Sequence, residues 1–287
     1  MNQKIKLIEC PRDAMQGLHD FIPTALKAQY LNLLLQVGFD TIDFGSFVSP
    51  KAIPQLRDTT EVLAQLDLSN TTSKLLAIVA NVRGVETAVQ HQEITYLGFP
   101  FSISETFQQR NTNSSIAQSL NTVEEMLNLC DKHQKTAVVY LSMGFGNPYG
   151  DEWNVEIIEK WAEELVNRGV RILSLADTTG VSTPEKIETI LPSLIKKFSQ
   201  TEIGIHLHST PFTRLEKIEA AYKAGCTRFD SALKGFGGCP MAADDLTGNM
   251  ATEDLISFLQ NKGENLGLNM EKWQEAIVLS SKVFLGN

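Results

Sequence analysis

Cysteine is scarce in this chain. Its 287 residues include only Cys10, Cys130, Cys226 and Cys239, and no two of them form a C-x-x-C pair. That excludes a disulfide scaffold, gives no thiolate-rich zinc motif and fits a reducing compartment. Positive charge is also in deficit. A formal net charge of −9 argues against nucleic acid or an anionic membrane surface as the main partner, because both recruit basic patches. A small anion needs only a few local cations and stays admissible. Long apolar runs are missing too. With no signal core, transit segment or transmembrane stretch, the expectation is a cytoplasmic protein. No Pro/Gly/Ser linker, low-complexity tract or charge block divides the chain, so a single domain over residues 1–287 is expected.

What is present is ordinary globular material, 43% hydrophobic and 21% charged, enough to build one large core. Short β-branched runs alternate with stretches of helical period. The runs at 5–10, 41–44, 74–79, 93–97, 136–142, 171–176, 202–208 and 227–231 read as strands. Helices are expected near 24–37, 50–66, 83–91, 114–133, 154–168, 184–199 and 212–224, with an eighth from Thr252. Thr183-Pro184 has the form of an N-cap followed by proline at the first helical position. Gly169 and Gly225 stand where helices end. Eight strands alternating with eight helices predict an α/β fold, a single (β/α)8 TIM barrel, with 270–285 left over as an extra C-terminal helix. An open doubly wound sheet is the rival, but the first strand runs into Pro11-Arg12-Asp13 rather than a glycine fingerprint.

In a TIM barrel the chemistry lies at the C-terminal ends of the strands. Strand 1 leads to Arg12 and Asp13, and strand 7 ends in His206-Leu207-His208. Strand 8 is followed by Gly237-Gly238-Cys239-Pro240 and then Asn249. Closure of the barrel makes strands 7, 8 and 1 neighbours. Residues i and i+2 of a strand share a face, so two imidazoles can meet one ion. With the carboxylate of Asp13 and the amide oxygen of Asn249 they form a mixed N/O set suited to Mg²⁺, Mn²⁺ or Fe²⁺. Paired histidines also occur on half-buried strands; the convergence with Asp13 favours the metal. Arg12 can hold a carboxylate or a developing enolate oxygen, or form an outer salt bridge. Asp177, in LADTTG, either faces the mouth or caps the next helix. Glycines around Cys239 suit a mobile loop or a tight turn.

These residues carry a resemblance. The segments ECPRDAMQG, SFVSPKAIPQLRDTTEVL, LADTTGVSTP, GIHLH and KGFGGCPMAADDLTGNMATEDL resemble the 3-hydroxy-3-methylglutaryl-CoA lyases, within the DRE-TIM metallolyases (pyruvate carboxyltransferase-like barrels). The GGCP and GN-x-ATED segments match the lyases rather than the related synthases. The resemblance implies Mg²⁺ or Mn²⁺ on Asp13, His206, His208 and Asn249, with Arg12 stabilising the enolate. It implies Cys239 on a mobile loop, Glu253 supporting the site, Asp177 and Gln16 lining the cavity, and Arg110 near an acyl-CoA substrate. It further implies a homodimer working in leucine degradation. Departures from the pattern are Ser209 after the second histidine, Asp43 where glutamate is common, and Gln108 where basic residues are common. Two other readings remain open: a related aldolase, lyase or synthase for another hydroxy- or oxo-acid, and a non-catalytic metabolite-binding barrel.

Overall fold

Eight short strands close on themselves in the computed structural model, which describes residues 4–238 and 247–285. They are β1 (Lys6–Glu9), β2 (Thr41–Ser46), β3 (Lys74–Ile78), β4 (Ile94–Ser102), β5 (Thr136–Ser142), β6 (Ile172–Asp177), β7 (Glu202–Leu207) and β8 (Arg228–Ser231). Each pairs in parallel with its sequence neighbours, and β8 pairs with β1 from Lys6↔Arg228 to Glu9↔Ser231. The fold is a TIM barrel.

Among the described residues there are eleven α-helices: α1 (Pro11–Gln16), α2 (Thr24–Val37), α3 (Thr59–Leu63), α4 (Val82–Ala88), α5 (Glu105–Thr112), α6 (Ile116–Lys132), α7 (Val155–Asn167), α8 (Pro184–Lys197), α9 (Arg214–Lys223), α10 (Thr252–Asn261) and α11 (Met270–Phe284). Eight of them make the outer ring; α1, α5 and α11 are additional. The C-terminal helix stands where the sequence places it.

Strand alternation explains the layering. Side chains at odd positions of β3 and β5, such as Leu75, Ala77, Val139 and Leu141, join the large apolar cluster between barrel and helices. Even positions, including Leu76, Ile78, Val138 and Tyr140, fill a second cluster inside the barrel. One side of each strand thus faces helices and the other faces the barrel axis.

Three local expectations differ from the structure. The helix expected over 50–66 is a turn, a 3-10 segment at Pro54–Leu56 and the short α3, because Pro54 cannot donate within a continuous helix. Strand β4 does not stop at Leu97; Gly98 to Ser102 pair with Val138 to Ser142. Residues 11–16, where the sequence predicts no element, form α1. Pro11 has no N–H for a ladder, but at the first helical position that donor is not needed.

Candidate active site

The mouth of the barrel encloses a cavity of about 420 Å³. Its lining includes Arg12, Asp13, Gln16, Arg110, His206 and His208. Helix α1 delivers the first three from one short turn: Arg12 and Gln16 are four apart and Asp13 lies three before Gln16, so all share a face. The polar ends meet directly. Arg12 Nη1 donates to Asp13 Oδ1 and to Gln16 Oε1, both at 3.0 Å, and Gln16 Nε2 donates to Asp13 Oδ1 at 2.6 Å.

Arg12 is also clamped from β2. Its Nε lies 3.0 Å and its Nη2 2.5 Å from Asp43 Oδ2. This is the side-on pairing of a guanidinium with a carboxylate. Burial opposes the charge on Arg12, but Asp43 and Asp13 together hold it well above its ordinary pKa. Burial pushes the Asp43 carboxyl up to about 6, against the pull of Arg12.

Strand β7 places both imidazoles. Its outward residues Ile203, Ile205 and Leu207 pack under the helices, so His206 and His208 face inward. Ring nitrogens of both, with a carboxylate oxygen of Asp13, lie within 4.8 Å of one another. His206 Nδ1 is 3.2 Å from Asp230 Oδ2, directly across the His206↔Asp230 register of β7 and β8. That contact assigns the proton to Nδ1 and leaves the Nε2 lone pair free. Burial works against a charge on His206, yet Asp230 holds its pKa above the ordinary value. Burial and the neighbouring His206 push His208 down to about 4. Burial likewise disfavours charge on Asp13, but Arg12 and the two imidazoles pull its carboxyl below the usual range.

Asn249 reaches the same point from the segment after β8. It bridges to His208 in antiparallel fashion, and Met250 N donates to Leu207 O at 3.0 Å. Its Nδ2 donates to Asp13 Oδ2 at 2.6 Å and to the Phe236 carbonyl at 2.9 Å. Gly237, at φ +98°, closes over this group: a Cβ there would come within 2.8 Å of the Asp13 carbonyl oxygen and 2.7 Å of Asn249 Nδ2. Glycine is required by this close approach.

The donor set fits a hard or borderline divalent cation. It comprises two imidazoles and one carboxylate, with the Asn249 amide beside them, and His208 Nδ1 is buried with no hydrogen-bond partner among the described residues.

The remaining sequence candidates are placed differently. Asp177 is not among the cavity-lining residues. It has the outward parity of Leu173 and Leu175, accepts from the Ser182 amide and hydroxyl, and pairs with buried Lys217 at 3.0 Å. Lys217 also donates to the His208 carbonyl at 2.8 Å, so Asp177 is linked to the site through Lys217 and the His208 backbone. Glu253 accepts from Lys234 N at 2.8 Å, in the segment after β8, and is not among the described residues that line the cavity. Arg110 lies over the Tyr149 ring at 5.1 Å, on the cavity side of α5. Gln108 is buried and structural, accepting from Ser102 N at 2.6 Å. Cys239 lies outside the described residues.

A family model described as HMGL-like matches residues 4–279. The chain belongs to the HMGL-like family. A hydroxymethylglutaryl-CoA lyase of Bacillus subtilis is 34% identical over 265 residues, covering 91% of this chain and 87% of that protein. A cytoplasmic 3-hydroxy-3-methylglutaryl-CoA lyase of Rattus norvegicus is 33% identical over 276 residues, covering 95% and 79%. Among solved structures, an HMG-CoA lyase of Acinetobacter baumannii in complex with coenzyme A and 3-methylmalate superposes with a TM-score of 0.91 at 28% identity, over 99% of this chain and 92% of that one. Membership of the HMGL-like family places the chain among carbon–carbon lyases built on this barrel.

Sequence reading missed Asp230 and Lys217. Asp230 carries the same i, i+2 signal as the histidines, since Arg228 and Asp230 share the inward face of β8. Lys217 gives no such signal, because its role depends on how α9 packs against β7.

Proposed function

We propose that the chain cleaves 3-hydroxy-3-methylglutaryl-CoA into acetyl-CoA and acetoacetate, using a divalent cation held by Asp13, His206, His208 and Asn249. The observation that carries this reading is the meeting of Asp13 with the two β7 imidazoles beside a doubly clamped arginine, at the mouth of the cavity. Mg²⁺ or Mn²⁺ bound there would act as a Lewis acid toward the substrate's hydroxyl and carbonyl oxygens.

The protein's own groups account for the rest. Cleavage removes the hydroxyl proton, turns that carbon into a ketone and leaves the bond pair on the departing thioester as an enolate, whose carbon then takes up a proton to give acetyl-CoA, so the proton lost by the hydroxyl is matched by one gained there. Arg12 has five N–H donors, and four of them are engaged by Asp43, Asp13 and Gln16. The remaining Nη2 hydrogen is a fixed donor for the enolate oxygen, in a site where the guanidinium cannot swing away. Gln16 and Asp43 hold that donor in place before substrate arrives. The apolar wall of Val48, Ile53 and Phe107 suits the pantetheine arm, and Arg110 in the same lining is the basic group for an anionic portion of coenzyme A.

The family resemblance supports a cytoplasmic homodimer serving leucine degradation, over a single domain spanning the chain. Among the described residues, no helix is long and apolar enough to cross a membrane. Substitution tests the ligand assignment: Asp13→Ala or His206→Ala is expected to abolish metal-dependent turnover in a folded protein. Full turnover in either variant would contradict it.

A further inference from the structure

Helix α11 lies outside the eight βα units, yet its last turn touches the segment that follows β8. The Phe236 ring stacks on Phe284 with centroids 4.5 Å apart and planes 25° from parallel. Lys234 Nζ donates to Ser281 Oγ at 3.1 Å. Both contacts hold the two residues that flank Gly235. The same short stretch is gripped from the barrel side. Glu9 accepts from Leu233 N at 2.8 Å, and Glu253 accepts from Lys234 N at 2.8 Å. Lys234 itself is held at φ +59°, a left-handed conformation unusual for lysine. Such a backbone persists only where its surroundings fix it.

The consequence lies one residue further on. The Phe236 carbonyl accepts the hydrogen bond from Asn249 Nδ2 that, with Asp13, decides which way the amide is turned. Asn249 Nδ2 thus has two anchors, the Asp13 carboxylate and the Phe236 carbonyl. Were the Phe236 carbonyl to move, the amide would keep only the Asp13 anchor and could turn relative to it, disturbing the arrangement of the ligand groups.

We infer that α11 is a positioning element for the cation site: through the Phe284–Phe236 stack and the Lys234–Ser281 bond it fixes the Phe236 carbonyl, which sets the Asn249 amide. This rests on the reading of Asp13, His206, His208 and Asn249 as the cation ligands. Phe236 and Phe284 are therefore positioning residues, acting on the site only through Asn249. Outer-shell groups of this kind govern metal affinity, with losses of about 10- to 100-fold when removed; this more distant pair is expected at the low end, about 10-fold.

The test is Mn²⁺ binding to the full chain, followed by the electron paramagnetic resonance signal of free Mn²⁺. Phe236→Leu, Phe284→Leu and the double variant keep apolar bulk and so keep the fold, while removing the stack. Each single variant is expected to raise the Mn²⁺ dissociation constant about 10-fold, the double variant no more than either single, and Phe284→Tyr, which keeps a ring for the stack, is expected to bind Mn²⁺ with wild-type affinity. Non-additivity of this form is the signature of two residues acting as one unit. Wild-type affinity in both single variants, or losses that simply add, would overturn the inference. Asp13→Ala in parallel separates the two claims: if it binds Mn²⁺ like the wild type, the ligand assignment itself has failed.

Discussion

Arg12 is a charge buried from water whose N–H donors are, all but one, held by fixed partners. Asp43 supplies the side-on clamp, and Asp13 with Gln16 holds the other edge. Lysine at this position would keep the charge and lose the planar fork. Arg12→Lys is therefore expected to lower kcat by about 10²- to 10³-fold, as loss of a preorganised oxyanion donor does, with a far smaller change in Mn²⁺ affinity. Steady-state kinetics beside a metal titration separates the two effects; equal losses in both would make Arg12 a mere support for Asp13. Asp230 is the opposite case. It sits behind His206 and fixes its tautomer, so Asp230→Asn is expected to weaken Mn²⁺ binding about 10- to 100-fold, measured by calorimetric titration. Unchanged affinity would show that Asp230 does not set the ligand state of His206. Residues of this kind were only partly legible in the sequence. The i, i+2 rule that brings His206 and His208 to one face also selects Asp230. Applied to β6, the same rule gives Asp177 the outward parity of Leu175, and that parity rather than its motif decides where the carboxylate goes.

At the scale of elements, β1 does two jobs through alternate residues. Its end leads into α1 and so to Arg12 and Asp13, while outward-facing Glu9 ties β8's continuation to the start of α10 through Leu233 N and Thr252 Oγ1. Burial pushes the Glu9 carboxyl up to about 8, with its two hydrogen bonds acting in the opposite direction. The sign of the consequence follows. The folded chain retains this proton up to about pH 8, whereas the unfolded chain releases it near 4.5. The native state therefore binds more protons in that window, and its stability falls as pH rises through it, by up to about 1.4 kcal/mol per pH unit. Glu9→Gln cannot titrate and is expected to lose that part of the slope. Urea unfolding of both proteins at pH 5, 6, 7 and 8 measures it; parallel stability–pH curves would contradict the buried, protonated Glu9. Element boundaries were legible where a single signal ruled, as at Thr183-Pro184 or over 136–142. They were not where proline acts through context: Pro100 is tolerated within β4, whereas Pro54 breaks a helical pattern.

For the whole molecule, the alternation of eight apolar runs with eight helices is enough to specify the barrel, because each strand must cover helices on one side and the axis on the other. Closure then places β7, β8 and β1 side by side and converts separations of up to 236 positions, Asp13 to Asn249, into a hydrogen bond of 2.6 Å. The site is thus a property of the closed fold, although its parts are readable one by one. Together these residues make a closed site suited to breaking a carbon–carbon bond with the help of a divalent cation. The most direct measurement is the formation of acetyl-CoA and acetoacetate from 3-hydroxy-3-methylglutaryl-CoA, with Mg²⁺, with Mn²⁺ and with a chelator. Cleavage that requires the metal and stops with the chelator is the predicted result. A folded, metal-loaded protein that forms no acetyl-CoA would contradict it.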